Sequence, residues 1–443
     1  MTDLATPPRF LADIHDAASE CNKCSLCQAT CPTYVTNPVE WETARGRVSL
    51  IRDAIEGRLE LRDIEDGPLS TCLTCDCCVV ACPPAVPTAM IVSRARQELH
   101  EQEGHPRGQT VALRTIFARP TWMRIVHGLS RAAQVTGLHG LARRTGITGW
   151  LGVAGSLAEH VGPLPKRTAH RRARALPQAQ PPVRARLGFL VCCYQNIAVP
   201  EATEATMRVL LANGYELVVP ALGCSGLPAR TMGDRSAELD MAVRTVERLS
   251  ELDVDGFVGD VASCTGQWRR HGELLAEDRL LADKARQIAS RTWLASAFLS
   301  EVGVRSELGP LRWRVAYDEP CSLPQNTADR SAARQLLEAI PHLTLVDLEE
   351  AAMCCGGPGT YFHSQPERSE AILARKFDHV VATGANVLVT ENVSCITQLR
   401  AGARRYAPHV RVMHLFEVLE ASLESHRRRA PLDVDAGQAQ GSA

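Results

Sequence analysis

The chain has 443 residues, more than one ordinary core accommodates, so length alone predicts roughly two to four domains. Hydrophobic residues make up 45%, charged residues 22%, and the formal net charge is −1; this excludes a global field favouring nucleic acid or an anionic membrane. The N-terminus lacks the basic, apolar and small-residue succession of a secretory signal, and no apolar run reaches the roughly eighteen residues of a membrane span, so the expected location is cytoplasmic. Seventeen cysteines in such a chain point to metal ligation, because cytosolic thiols stay reduced.

Residues 10–105 carry the first signal. Cys21, Cys24, Cys27 and Cys31, closed by Pro32, recur as Cys72, Cys75, Cys78 and Cys82, closed by Pro83. This duplicated C-x2-C-x2-C-x3-C-P run has the spacing of bacterial two-cluster ferredoxins, in which three cysteines hold one cubane and the fourth reaches across to the other. By that rule Cys21, Cys24, Cys27 and Cys82 hold one 4Fe-4S cluster, and Cys72, Cys75, Cys78 and Cys31 hold the second. Each proline fixes φ and lacks an amide hydrogen, so no helix runs on through the ligand. Structural zinc usually takes two separated C-x2-C pairs, and disulfides require an oxidising compartment. Cys77, beside Cys78, breaks the pattern and reads as a spare thiol. A helical stretch over Arg45 to Gly57 separates the motifs, and a helix from Thr88 to about Glu103 closes an α-helical ferredoxin domain.

Residues 106–161 add a helical extension, with Trp122, Ile125, Val126 and Leu129 at helical spacing. That stripe reads as core packing; exposed, it would dock a membrane. Residues 162–186 are rich in Pro, Arg, Ala and Gln, with seven basic residues and no acidic one, and read as a linker. The tail, 427–443, reads as disordered.

Between linker and tail lies a repeat. Apolar strand candidates Leu187 to Cys193, Glu216 to Pro220 and Gly256 to Val261 lead to Cys193, Cys224 and Cys264. The series restarts with Arg312 to Tyr317, Leu343 to Leu348 and Asn386 to Thr390, which lead to Cys321, to Cys354 and Cys355, and to Cys395. The cysteines correspond at offsets of 128, 130 and 131 residues. Helix-length segments intervene, among them Glu201 to Asn213, Ser236 to Leu252, Ala328 to Ile340 and Glu367 to Thr383. The expected class is therefore α+β multidomain: the ferredoxin domain, then a duplicated α/β region of Rossmann-like parallel sheets over 187–305 and 306–426. Such sheets bind ligands beyond the carboxyl ends of their strands, where every repeat cysteine falls, so two sulfur-lined crevices are expected.

In the second repeat Cys321, Cys354, Cys355 and Cys395 give four soft thiolates, enough to hold a further iron-sulfur cluster. Gly356, Gly357 and Gly359 let backbone amides approach sulfur, and the start of a following helix would favour thiolate. The first repeat is depleted: Ser225 stands where the second has Cys355, leaving Cys193, Cys224 and Cys264, with Cys192 as a stand-in, and reads as degenerate. His271, His363 and His414 read as hydrogen-bonding or surface residues rather than ligands. The chain shows no Ser-His-Asp series, P-loop or G-x-G-x-x-G fingerprint, and no helix-turn-helix or basic surface for nucleic acid.

With these residues in view, the chain resembles the iron-sulfur subunit of glycolate oxidase and its relatives in lactate utilisation and anaerobic glycerol-3-phosphate dehydrogenases. The likeness rests on CNKCSLCQATCPTY at Cys21 to Tyr34, RGRVSLI at Arg45 to Ile51 and CLTCDCCVVACP at Cys72 to Pro83. It continues in DEPCSL at Asp318 to Leu323, MCCGGPGTY at Met353 to Tyr361 and LARKF at Leu373 to Phe377, of which the last two look like the cysteine-rich CCG domain also found in heterodisulfide reductases. The resemblance implies an electron conduit, in which an FAD-binding partner oxidises a 2-hydroxy acid and this subunit passes electrons toward quinone or another acceptor, with peripheral membrane association. Ser225 and Ser322 depart from the family's usual cysteine and histidine, which weakens the alternative of thiol or disulfide chemistry at the CCG sites.

Overall fold

The structure is a computed structural model and describes residues 12–105, 107–137, 162–323 and 327–432. The distal part of the helical extension and most of the predicted tail lie outside the described residues. Helices Ala12–Ser19, Ala44–Ile55 and Thr88–Glu103 enclose an apolar core of Ile14, Val48, Ile51, Ile91, Val92 and Leu99. Helix Ala44–Ile55 starts at Thr43, whose hydroxyl accepts from the Gly46 N–H, and buries Ala44, Arg47, Val48, Ile51 and Ile55 on one face.

Two parallel sheets follow. Strands β1 (Ala185–Leu190), β2 (Tyr215–Val218), β3 (Gly256–Gly259) and β4 (Thr292–Leu294) lie in the order β2-β1-β3-β4. Strands β5 (Arg314–Tyr317), β6 (Thr344–Val346), β7 (Val387–Thr390) and β8 (Arg411–His414) repeat it as β6-β5-β7-β8. All pairings are parallel. The expected α/β repeat is thus present, and each sheet has a fourth short strand, outside the series of strands that lead to cysteines. Because β1 and β5 each feed a neighbour on one side while the third strand falls on the other, the loops after the first three strands converge at one carboxyl edge.

The two sheets pack as a pseudo-symmetric pair. Helix Pro200–Ala212, after β1, packs on helix Leu415–Arg428 at the end of the second repeat; reciprocally, helix Ala295–Val302 packs on helix Ala332–Glu338, after β5. Ala205, Val209, Leu299, Leu336, Val418 and Leu419 share one buried cluster across this junction. The carboxyl edges also touch: the Ala262 N–H donates to Glu391 O at 3.0 Å, and His414 Nε2 lies 2.8 Å from Asp260 O. Glu391 and Asp260 occupy equivalent positions in the two repeats.

Glu391 is fully buried and accepts from the Tyr317 hydroxyl at 2.9 Å; burial pushes its carboxyl up to about 7. A carboxyl raised by folding contributes stability that is complete below the unfolded value, declines above about 4.5 and is gone above about 7. The wild-type protein should therefore lose about 3 kcal/mol between about pH 5 and about pH 8 through this group. Glu391→Gln should flatten that part of the pH profile in thermal melts at the two values, and an unaltered slope would reassign the dependence.

The apolar stripe on the extension is a correction. Helix Pro120–Val135 turns Met123 and His127 inward, leaving Trp122, Ile125 and Leu129 exposed among the described residues. His127 reaches Pro165 O at 3.1 Å, which rotates the Trp122 face away from the body.

Candidate iron-sulfur centres

The two ferredoxin loops have the same local backbone. Lys23 and Thr74 stand at one equivalent position with φ of 54° and 49°, and Ser25 and Asp76 at another with φ of 73° and 59°. Left-handed conformation at four non-glycine residues is costly and persists only where the surroundings impose it. The bends curl each loop on itself: the Thr74 N–H lies 3.5 Å from Cys72 Sγ, and the Arg45 N–H donates to the Cys27 sulfur. Short helical turns Leu26–Gln28 and Cys77–Val80 bring the loops together. Pro32 stands at the first position of helix Pro32–Thr36, where its missing N–H costs nothing, so the chain reverses at Cys31.

Arg47 supplies the electrostatics. It is 2% exposed and donates to Pro68 O at 2.8 Å, Thr33 Oγ1 at 3.2 Å, Thr71 Oγ1 at 2.9 Å and Cys31 Sγ at 3.8 Å. Its charge also acts on Cys72. Glu42, held bidentately by Arg368 at 2.6 and 2.7 Å, lies near enough for its charge to act on Arg47, while the groups hydrogen-bonded to Arg47 are neutral oxygens and sulfur. A buried guanidinium in that position calls for an anion, and Cys31 with Cys72 belong to the one cluster that the crossed-ligand rule assigns to both motifs. Arg96 donates to Cys72 O at 2.7 Å, adding a second, half-buried cation. Burial pushes the Cys27, Cys72 and Cys78 thiols up, so charge compensation must come with the bound group. The residues fit 4Fe-4S clusters.

Sequence reasoning did not single out Arg47. Its signal is an arginine on the apolar face of a helix, in register with Val48, Ile51 and Ile55, between two thiolate motifs.

The repeat cysteines gather into two sites, each at the carboxyl edge of its sheet. In the second, Cys354 bonds to both Cys321 and Cys355, and Cys355 Sγ lies 3.4 Å from Cys395 Sγ. Contacts with the Cys354 and Cys395 sulfurs hold the Cys355 thiol well below its usual range, helped by the Gly357 N–H and by Lys376. Lys376 is buried, pairs with Asp318 at 3.0 Å and donates to Glu350 O and Ala351 O at 2.8 and 3.1 Å. The helix-terminus expectation is corrected: the next helix, Tyr361–Ser364, starts six residues past Cys355, and the Gly357 amide and Lys376 serve instead. Gly356 has φ of 81°, and a Cβ there would stand 2.9 Å from Ser369 O, so only glycine turns the chain at this point.

The first site brings together Cys192, Cys193, Cys224 and Cys264. Cys192 Sγ lies 3.5 Å from Cys264 Sγ, and Cys193 bonds to Cys192 and Cys224. Contacts with Cys193 and Cys264 push the Cys192 thiol down, as those with Cys354 and Cys395 do for Cys355. Cys192 thus takes the structural place vacated at Ser225: the tandem pair sits on the β1 loop here and on the β6 loop in the second repeat. Ser225 O is engaged by His271 Nε2 at 2.9 Å. Burial lowers both His271 and His414 to about 4 and leaves them neutral hydrogen-bonding residues.

The ferredoxin loops dock on these sites. Tyr361 OH donates to Thr71 O at 3.0 Å, Arg96 Nη1 to Thr231 O at 2.6 Å, and the Cys224 N–H to Phe117 O at 2.9 Å. Arg114 adds a bidentate pair with Asp234 at 2.9 and 3.0 Å. Cys75, assigned by spacing to a cubane, sits at the seam and bonds to Cys354 and Cys77. Cys77, which spacing reads as a spare thiol, is buried against Cys354, Tyr361 and Ile372.

Comparison with known proteins follows this division. Residues 17–112 match the 4Fe-4S dicluster domain, 106–159 the linker region of glycolate oxidase iron-sulfur subunits, and 187–269 with 315–400 the cysteine-rich domain. The chain is 28% identical over 415 residues to the probable glycolate oxidase iron-sulfur subunit of Bacillus subtilis, covering 90% of this chain and 92% of that one. It is 27% identical over 420 residues to the glycolate oxidase iron-sulfur subunit of Escherichia coli, covering 91% and 94%. Lactate utilization protein A of an Exiguobacterium species is 25% identical over 240 residues, covering 54% of this chain and 98% of that one. The dicluster, linker and cysteine-rich regions follow one another here, and the chain is similar over nearly its whole length to both longer relatives, each named a glycolate oxidase iron-sulfur subunit.

Proposed function

We propose that this chain is the iron-sulfur electron-transfer subunit of a flavin-dependent 2-hydroxy-acid dehydrogenase of the glycolate oxidase type, receiving electrons from an FAD-binding partner and delivering them to quinone or another acceptor. The observation that carries this reading is the pair of matching left-handed cysteine loops closed around buried Arg47. By the crossed rule Cys21, Cys24, Cys27 and Cys82 hold one cluster, and Cys72, Cys75, Cys78 and Cys31 the other. When bound, such clusters supply one-electron redox chemistry at potentials set by charge, sulfur hydrogen bonds and exposure. Arg47 and Arg96 stabilise added negative charge at the second site, and Cys27 and Cys31 are themselves buried.

Cys24 is exposed, and Leu26 and Val80, on the two touching helical turns, are 53% and 50% exposed. An apolar rim beside an accessible cysteine loop suits a flavoprotein subunit that must approach closely. Leu26→Glu should weaken that complex at least about tenfold while leaving iron content unchanged, as measured by co-purification and titration calorimetry. Unchanged affinity would move the docking face elsewhere. The exposed Trp122, Ile125 and Leu129 stripe, flanked by Arg119, Arg124 and Arg131, suits peripheral attachment to an anionic bilayer. Among the described residues no helix is long and apolar enough to cross a membrane.

The reading is tested by preparing the protein anaerobically with an FAD-binding 2-hydroxy-acid dehydrogenase from the same source and assaying hydroxy-acid-dependent quinone reduction. Reconstituted turnover that needs both chains supports it. Disulfide reduction by this chain alone, with no effect of the flavoprotein, would replace it with the thiol-chemistry alternative.

A further inference from the structure

Cys77 and Cys78 are neighbours at the start of helix Cys77–Val80, so their side chains diverge by about a quarter turn. Cys78 faces its own loop, near Cys72, Cys75 and Thr88. Cys77 points toward the second cysteine-rich site and keeps contact with Cys75 of its own loop. Its sulfur lies 3.5 Å from Ala352 O and bonds to Cys321 and Cys75. Cys77, Cys354, Tyr361 and Ile372 form one buried cluster, against which Cys75 and Cys321 pack. The thiols therefore run in contact from Cys77 to Cys321, Cys354, Cys355 and Cys395. Asp76, in left-handed conformation with φ of 59°, sets the turn that aims the helix start at this site.

We propose that Cys77 is a ligand of an iron-sulfur centre in the second cysteine-rich site, the fifth thiolate beside Cys321, Cys354, Cys355 and Cys395, so that the centre is built jointly by the ferredoxin domain and the second repeat. This rests on the iron-sulfur reading above. Thiols at this seam would otherwise be an inert apolar contact, for which a chain of sulfurs offers no packing advantage over Ala or Val. Iron takes soft sulfur donors, and each thiol that binds gives up its proton. Lys376, close to Cys355 and Cys395, is placed to offset part of the added negative charge. The arrangement ties the occupancy of that site to the docking of the ferredoxin domain.

The test is iron and sulfide analysis with Mössbauer and low-temperature EPR spectra on the anaerobic full chain, in wild type, Cys77→Ala and Cys77→Ser. Wild type should hold about twelve iron atoms, and in both variants the third centre should either be lost, leaving about eight, or keep its iron with an altered Mössbauer spectrum, with the ferredoxin signals intact. Cys78→Ala should instead alter the ferredoxin signals. Should Cys77→Ala fail to fold, Cys77→Ser, close in size and able to donate to Ala352, decides the matter. Variants with wild-type iron and unchanged Mössbauer spectra overturn the proposal, as does a wild type with about eight iron atoms, while the two-cluster reading stands in both cases. A wild type without iron sinks that reading itself.

Discussion

Replacing Cys24 by alanine is expected to remove about four iron atoms per chain and one of the two ferredoxin EPR signals. Cys24 is the informative choice because it is exposed, whereas Cys27 and Cys31 are buried and their loss would also open the core. The fold around helix Ala44–Ile55 should survive, so the circular dichroism spectrum serves as the control. Turnover with the flavoprotein and quinone should fall at least about a hundredfold, since a route that depends on both centres loses one. An unchanged spectrum with full iron would refute the crossed assignment of Cys21, Cys24, Cys27 and Cys82.

Arg47→Met should act through charge rather than ligation. Methionine fills most of the volume but removes the cation 3.8 Å from Cys31 Sγ and leaves Thr33, Thr71 and Pro68 without their donor. A unit charge at about 5 Å contributes about 3 kcal/mol at an effective dielectric of about 20. The centre ligated by Cys31 and Cys72 should therefore become harder to reduce by on the order of 100 mV, read by EPR-monitored redox titration. Removal of one member of a buried charged group also costs about 3–5 kcal/mol of stability. Arg47→Lys keeps the charge without the fork and should restore most of the potential but less of the stability. A potential unmoved by Arg47→Met would place the compensating charge elsewhere, with Arg96 the next residue to replace.

The two ferredoxin motifs and six of the strands were legible because both depend on local rules: ligand spacing along a loop, and apolar runs ending at cysteines. Thr292–Leu294 and Arg411–His414 were not, being short strands that continue directly into helices Ala295–Val302 and Leu415–Arg428. The site's long-range pairings were hidden for a different reason. Cys77 meets residues such as Ala352 that lie 275 positions away, and spacing within its own motif makes it look superfluous. Cys192 was noticed as a stand-in, but its contact with Cys264 depends on how the β1 loop faces the β3 loop. Arg47 sits in a recognisable block, yet its burial between Cys31 and Cys72 follows only from closure of the two loops. The Trp122 stripe has the spacing of a core face, and periodicity alone does not say which side of a helix is covered.

The reciprocal helix crossing between the repeats has a consequence for what one polypeptide can do that two separate copies cannot. A homodimer joined through the same helices would display twin sulfur pockets of equal composition, and a single ferredoxin unit could engage them only alike. Covalent fusion lifts that equality: one pocket meets Cys75 and Cys77, the other Phe117 and Arg96, and the tandem thiols have settled on different loops in each. That asymmetry is written into connectivity, since one ferredoxin domain faces two unlike sulfur pockets.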